Sequence, residues 1–264
     1  MRQYLALAIL VLFTACKKDE TPLDNSTAPL SIEFDNIAGD KNLQLNTGVY
    51  TNAANEPFSV SVFQYFISNV KLTTTDGKDY VVPQDSSYFM INETDVASHS
   101  VKLHVPQADY SSLSFIVGVD SLRNTMDISR RTGVLDPASY SDHGMYWGWN
   151  SGYIFVKLEG TSSSAPVDAS GQRYFRYHIG GFGGYSTPTI NNIRSVTIDL
   201  TRAGIASVRR DRETNVHLMV DVLKMFGGSS SISIASNPTV MFGPFSVNIA
   251  DNIPGMFRHD HTED

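Results

Sequence analysis

Short runs in which apolar and polar residues alternate constrain this chain more than any other feature. A strand buried on one face repeats every two residues, whereas a helix repeats its apolar positions at i, i+3, i+4 and i+7. Leu30-Ser-Ile-Glu-Phe-Asp keeps the two-residue period. So does the run 98–106, where Val101, Leu103 and Val105 face one way and Lys102 and His104 the other. The stretch 58–72 places Phe58, Val60 and Val62 on one phase and is long enough for one bent strand or two. Asp76-Gly77 is a hairpin signal ahead of Tyr80-Val81-Val82. Runs at 113–119, 153–158, 174–179, 193–200, 216–222 and 231–234 continue the series. Helical candidates are short: 136–140, with Pro137 in the first turn where a missing N–H costs nothing, and 249–257. The pattern predicts an all-β fold, an antiparallel two-sheet β-sandwich with one or two short helices, as a single domain over residues 30–264.

An apolar share of 41% and a charged share of 18% suit a chain with a sizeable core and argue against disorder. The net charge of −7 argues against a nucleic-acid partner, since phosphate contacts need clustered cations. The only basic cluster, Arg209, Arg210 and Arg212, is interrupted by Asp211 and Glu213. With one cysteine, neither an intrachain disulfide framework nor a cysteine-based zinc site can form.

That cysteine, Cys16, follows a segment that reads as an export signal: Arg2, an apolar run over 5–13, then Thr14 and Ala15. The arrangement resembles a bacterial lipoprotein signal, with Phe13 where leucine is more usual. It implies removal of residues 1–15 and lipidation of Cys16. Lys17-Lys-Asp-Glu resembles the surface-export tether of Bacteroidetes lipoproteins, and it reads equally as a solvated linker. Residues 16–29 form the expected flexible spacer. No later segment is long and apolar enough to span a bilayer as a helix, so the expectation is a soluble domain on a lipid leash in the cell envelope, facing the periplasm or the outside.

Seven histidines offer the chemistry. His259 and His261 form the tightest pair. At i and i+2 of an extended chain both point one way and reach one metal, yet as a polar chain end they also fit a frayed tail. His104 and His217 sit on the polar phase of strands and read as solvated surface residues. His99 and His143 lie in turn-like stretches. Met145 offers a thioether suited to Cu(I), or a gap-filling core residue. Trp147 and Trp149, beside Tyr146, form an aromatic ledge for a sugar or base, or simply core. The glycines at 180–184 lack the Lys and Ser/Thr of a phosphate loop. His178, just before them, is the histidine to single out. No Gly-x-Ser-x-Gly elbow occurs, and no catalytic constellation is legible, so an enzyme is not expected.

Several segments in order resemble the MbnP family of bacterial copper-binding proteins: Tyr65-Phe-Ile-Ser-Asn-Val-Lys-Leu, Phe115-Ile-Val-Gly-Val-Asp-Ser with Asn124, Leu135-Asp-Pro, the run 144–160, His178-Ile-Gly-Gly and Ala250-Asp-Asn-Ile-Pro-Gly-Met-Phe. The resemblance implies a β-rich domain. It also implies copper held between histidines and a tryptophan oxidised to kynurenine by a di-haem peroxidase-like partner. His178 matches the histidine that opens the family's His-Leu/Ile-Gly motif. The other family histidine follows Asn124, where this chain has Thr125, and residues 121–125 hold no tryptophan. Replacement ligands are sought in His143, Met145 and the His259/His261 pair. The functional expectation is a lipid-anchored metal-binding protein, for copper. The alternative is a metal-free surface module that recognises a glycan, peptide or partner protein.

Overall fold

Two β-sheets built from sixteen strands face each other in the computed structural model, which describes residues 26–140, 144–149 and 152–264. The smaller sheet contains β1 (Thr27–Ala38), β2 (Lys41–Asn42), β7 (Ser100–Pro106), β14 (Thr214–Asp221) and β16 (Phe257–Glu263). β16 is its edge, followed by β14 and then β1, whose far side pairs with β7 and β2. The larger sheet runs β12 (Arg194–Asp199), β8 (Ala108–Val117), β4 (Pro57–Thr74), β10 (Gly152–Ser162), β11 (Tyr174–Gly180) and β15 (Thr239–Val240). Short strands complete it. β3 (Tyr50–Thr51), β5 (Asp79–Val81) and β6 (Tyr88–Asn92) pair with β4, β9 (Tyr146–Trp147) with β10, and β13 (Ala206–Val208) with β8.

The alternating apolar positions close one core between the sheets. Phe34 of β1 and Phe257 of β16 meet Tyr65 of β4 and Phe115 of β8 with ring centroids 5.2–6.4 Å apart, edge to face. Such pairs add about 0.5–1.5 kcal/mol each beyond the area they bury. Phe257 thereby anchors the start of the C-terminal strand. A second, smaller cluster lies on the opposite face of the larger sheet. There Val119, Leu135, Met145 and Trp147, from the connection between β8 and β10, cover Phe66, Tyr153 and Phe155.

β4 is one bent strand of 18 residues. Its bend falls at a register shift between Ser68 and Lys71, where Asn69 adopts φ of 52° and donates its N–H to Ser87 O. Asparagine is among the few residues that tolerate this left-handed conformation. The Asp76-Gly77 hairpin forms with Gly77 at φ of 84°.

Three expectations change. The sheets are mixed rather than purely antiparallel, because β1 pairs with β14, and β11 with β15, in parallel. Most of the larger sheet separates β1 from β14 in sequence, and a long crossover is what parallel neighbours require. Sheet structure begins at Thr27 rather than Leu30, since Thr27 to Pro29 pair with β7. Residues 231–234 form a loop, although Ile232 and Ile234 are buried in strand-like alternation. The helical turns are α1 (Ser121–Thr125), α2 (Ser246–Asn252) and 3-10 turns, among them Pro137–Tyr140 and Ile253–Met256. Among the described residues no helix is long and apolar enough to cross a membrane.

Candidate metal centre

β14 reads Thr-Asn-Val-His-Leu-Met-Val-Asp, so Val216, Leu218 and Val220 enter the core while His217 stands on the outer face. β16 pairs antiparallel with it, but the register shifts: His261 lies opposite His217, and His259 opposite Leu218. One residue, Asp260, is therefore extra. A bulge of this kind bends its strand and re-aims its side chains. The expected alternation of His259 and His261 onto one side is lost. His259 pairs instead with Thr262 Oγ1 at 2.9 Å, while Asp260 and His261 converge on His217. Far from fraying, the chain end is a paired strand.

The convergence is close. Asp260 Oδ2 lies 2.9 Å from His261 Nδ1 and 3.4 Å from His217 Nδ1, and the two imidazole rings are 4.8 Å apart between centroids. One ligand atom from each of the three residues falls within 4.8 Å of the others. An ion at about 2.0–2.2 Å from three donors needs them roughly 3–3.5 Å apart, so a small side-chain rotation closes the set. His217 Nδ1 is sealed from solvent and makes no aligned hydrogen bond. The hydrogen bond from His261, helped by His217 and Arg258 and opposed by partial burial, holds the Asp260 carboxyl below its ordinary range. Asp260, and then Glu263, raise His261. Burial pushes His259 down and disfavours its charged form.

The other expected residues lie apart from this cluster. His178 stands on β11 with Nε2 2.6 Å from Glu159 Oε1, and Lys157 Nζ is 3.5 Å from the same oxygen. The hydrogen bond from His178, joined by Lys157, keeps Glu159 below the usual carboxylate range despite its burial. His178 is thus paired, beside a fixed positive charge that repels a metal ion. Met145 is fully buried in the smaller core. Thr125 turns its hydroxyl back onto α1, donating to Ser121 O at 2.9 Å and Leu122 O at 3.1 Å, so it offers no metal ligand. Its neighbour Asn124 is buried, bonded to Val119 O and Tyr153 N. His99 contacts Asn92 O and Glu93, and His104 lies on the outer side of β7. Cys16 and His143 fall outside the described residues.

The tryptophans split between the two readings. Trp147 is buried, whereas Trp149 is 67% exposed; their rings lie 5.4 Å apart, and each is 6.2 Å from Phe242. Tyr146 accepts a hydrogen bond from Arg131 Nη1 and packs on Tyr153. The sequence reading missed His217 and Asp260 as site residues. The outward phase of His217 was legible, but its partner strand and the bulge had no local signal.

A β-sandwich with two histidines and an aspartate gathered at the edge of its smaller sheet is, as a class, an all-β domain with a candidate metal centre. The chain belongs to the MbnP family, whose sequence model matches residues 27–242. The solved structure of MbnP from Methylosinus trichosporium superposes with a TM-score of 0.55 at 16% identity, covering 83% of this chain and 82% of that one. At that identity the likeness speaks to the fold. A comparison with curated protein sequences finds no match. Asp260 and His261 lie beyond the matched family segment, and His217 lies within it.

Proposed function

We propose that the protein is an extracytoplasmic, lipid-anchored metal-binding member of its family, that copper is its ion, and that His217, Asp260 and His261 hold it. The observation that carries this reading is the convergence of three ligand atoms within 4.8 Å at the bulge in β16. Imidazole donors suit copper as they do zinc, iron and nickel, and copper heads the divalent affinity order. The family position next to Asn124 does not fit a metal, because Thr125 supplies no ligand and residues 121–125 carry no tryptophan to oxidise. The reading therefore does not depend on a di-haem peroxidase-like partner. The anchor rests on the lipoprotein-like signal and Cys16. Copper titration against a competing chelator is expected to give one bound ion per chain. His217→Ala and His261→Ala should each weaken binding at least ~100-fold, about 2.7 kcal/mol. His178→Ala should leave it unchanged. Binding that survives both of the first two variants and disappears in His178→Ala would overturn this placement.

The exposure of Trp149 beside Trp147 and Phe242 favours a second reading, a surface that stacks a sugar ring. Oligosaccharides should then quench the tryptophan fluorescence of the wild type and not of Trp149→Ala. No quenching by any oligosaccharide tested would remove this reading.

A further inference from the structure

The outward nitrogens of the two histidines are as telling as the inward ones. His217 turns Nδ1 to Asp260 and Nε2 toward Asp35 Oδ2, at 3.9 Å, a small side-chain rotation short of a hydrogen bond. His261 turns Nδ1 to Asp260 and Nε2 to Glu263 Oε1, at 3.3 Å. Each imidazole thus stands between the shared carboxylate and a carboxylate of its own. Histidines that bind metals nearly always donate their second N–H to such a group, which fixes the tautomer and makes the ligating nitrogen more basic. Asp35 comes from β1, two strands in from the edge, and Glu263 is the last residue of the edge strand β16, so the two come from opposite sides of the trio. Glu33, directly opposite His217 in register, is turned away and accepts from Asn215 Nδ2 at 3.0 Å.

We propose that Asp35 and Glu263 are the positioning carboxylates of this centre, and that the centre they complete takes a divalent ion, Cu(II) ahead of Zn(II), in preference to Cu(I). The proposal rests on the metal-binding reading above. Three carboxylates, Asp35, Asp260 and Glu263, face the two imidazoles, against one nearby cation, Arg258, whose Nη1 is 3.3 Å from Asp260 Oδ1. An excess of negative charge favours a dication over a monocation. Nitrogen and oxygen donors favour cupric copper, which also heads the divalent affinity order, whereas cuprous copper prefers thiolate and thioether. The thioether nearest in register is Met219, two residues further along β14 and opposite Arg258. Met219 shares the outer phase of β14 with His217, so the part its thioether plays is read directly from the Met219→Leu variant below.

The test uses the purified wild-type protein with Asp35→Asn, Glu263→Gln, Met219→Leu and His217→Ala. Each is titrated with Cu(II), Zn(II) and, under anaerobic reduction, Cu(I), and the electron paramagnetic resonance of the Cu(II) form is recorded. The wild type should bind Cu(II) most tightly, with a spectrum of mixed nitrogen and oxygen ligation. Asp35→Asn and Glu263→Gln should each lower Cu(II) affinity by about 10–100-fold and alter its hyperfine splitting, while the melting temperature of the metal-free protein stays put. Met219→Leu should bind Cu(II) as the wild type does. Unchanged affinity and spectrum in both carboxylate variants would overturn their positioning role. Tighter binding of Cu(I) than of Cu(II), abolished in Met219→Leu, would overturn the choice of ion. Binding of any of the three ions that is indifferent to His217→Ala would remove the underlying metal-site reading as well, and so separates its failure from the other two.

Discussion

Gly160→Ala is expected to destabilise the protein by more than about 4 kcal/mol, or to leave it unable to fold. A Cβ at this position would lie 1.8 Å from the carbonyl oxygen of Ser59 and 2.8 Å from Cε1 of Phe175. The first contact is with backbone, so no rotamer change relieves it. β4 and β10 approach this closely because their register shifts between Glu159 and Gly160, and a glycine within a strand commonly marks such a bulge. β10 lies in the interior of the larger sheet, so opening its pairing with β4 exposes Val156 and Leu158, both fully buried. Overpacking alone costs typically 1–3 kcal/mol, and here the broken ladder and exposed core add to it. The same bulge sets where Glu159 meets His178, so the substitution also disturbs that pair. Gly77→Ala is the informative control. Nothing lies within 4 Å of a Cβ there, but φ is 84°, and the expected cost is the backbone penalty alone, about 1 kcal/mol. Urea denaturation of the two variants separates the effects. A Gly160→Ala protein within 1 kcal/mol of the wild type would mean that the β4–β10 approach is looser than described.

This contrast also shows which parts of the fold a sequence reveals. Alternation is a local property, and it located the cores of β1, β4, β7, β8, β10, β11, β12 and β14. Asp76-Gly77 fixed its hairpin by the same kind of local chemistry. Pairing is not local. Nothing in Leu30-Ser-Ile-Glu-Phe-Asp says that its neighbour is β14, running parallel and some 180 residues away in sequence. Alternation also misled at 231–234, because a loop can bury Ile232 and Ile234 as efficiently as a strand does when a side chain elsewhere satisfies its backbone.

The candidate metal centre divides in the same way. His261 was readable as a candidate, and the outward phase of His217 was readable as well. What the sequence could not give was their meeting. That depends on β16 pairing with β14 and on one extra residue, Asp260, between His259 and His261. A regular strand would have kept His259 on the side of His261. The family resemblance directed attention to His178 and to the position after Asn124. In this chain the first is engaged with Glu159 and the second is a threonine hydroxyl spent on its own helix. Two of the three candidate ligands, Asp260 and His261, lie beyond the matched family segment, while His217 lies within it.

Glu56 accounts for the loop at 231–234 and carries the second large effect. The residue is 7% exposed, and its carboxylate accepts four hydrogen bonds: from Asn52 Nδ2 at 2.7 Å, Ser233 Oγ at 2.8 Å, Ile234 N at 2.6 Å and Ala235 N at 3.0 Å. Glu56→Ala strands the buried Ile234 N–H, costing about 1–3 kcal/mol, and removes the charged acceptor of Asn52, Ser233 and the more exposed Ala235 N–H, each such bond to a charged group being worth about 1.5–3 kcal/mol at most. The expected loss is therefore about 3–5 kcal/mol, which lowers the melting temperature by roughly 10 °C in a chain of this length. Glu56→Gln keeps the shape but turns an NH2 toward donors, and should lose somewhat less. The effect depends on pH with a definite sign. Burial works to raise the Glu56 pKa, but the bonds from Asn52, Ala235, Ser233 and Ile234 outweigh it and hold the group below its ordinary 4.5. A carboxyl more acidic in the folded than in the unfolded chain stabilises the fold fully above the unfolded pKa. That contribution is lost as pH falls through the folded value. Denaturation of wild type and Glu56→Gln at pH 7 should give the full gap in stability, and the gap should narrow as pH drops below 4.5. A gap that is constant from pH 7 to pH 3 would show that the loop is held by its buried isoleucines and not by the carboxylate.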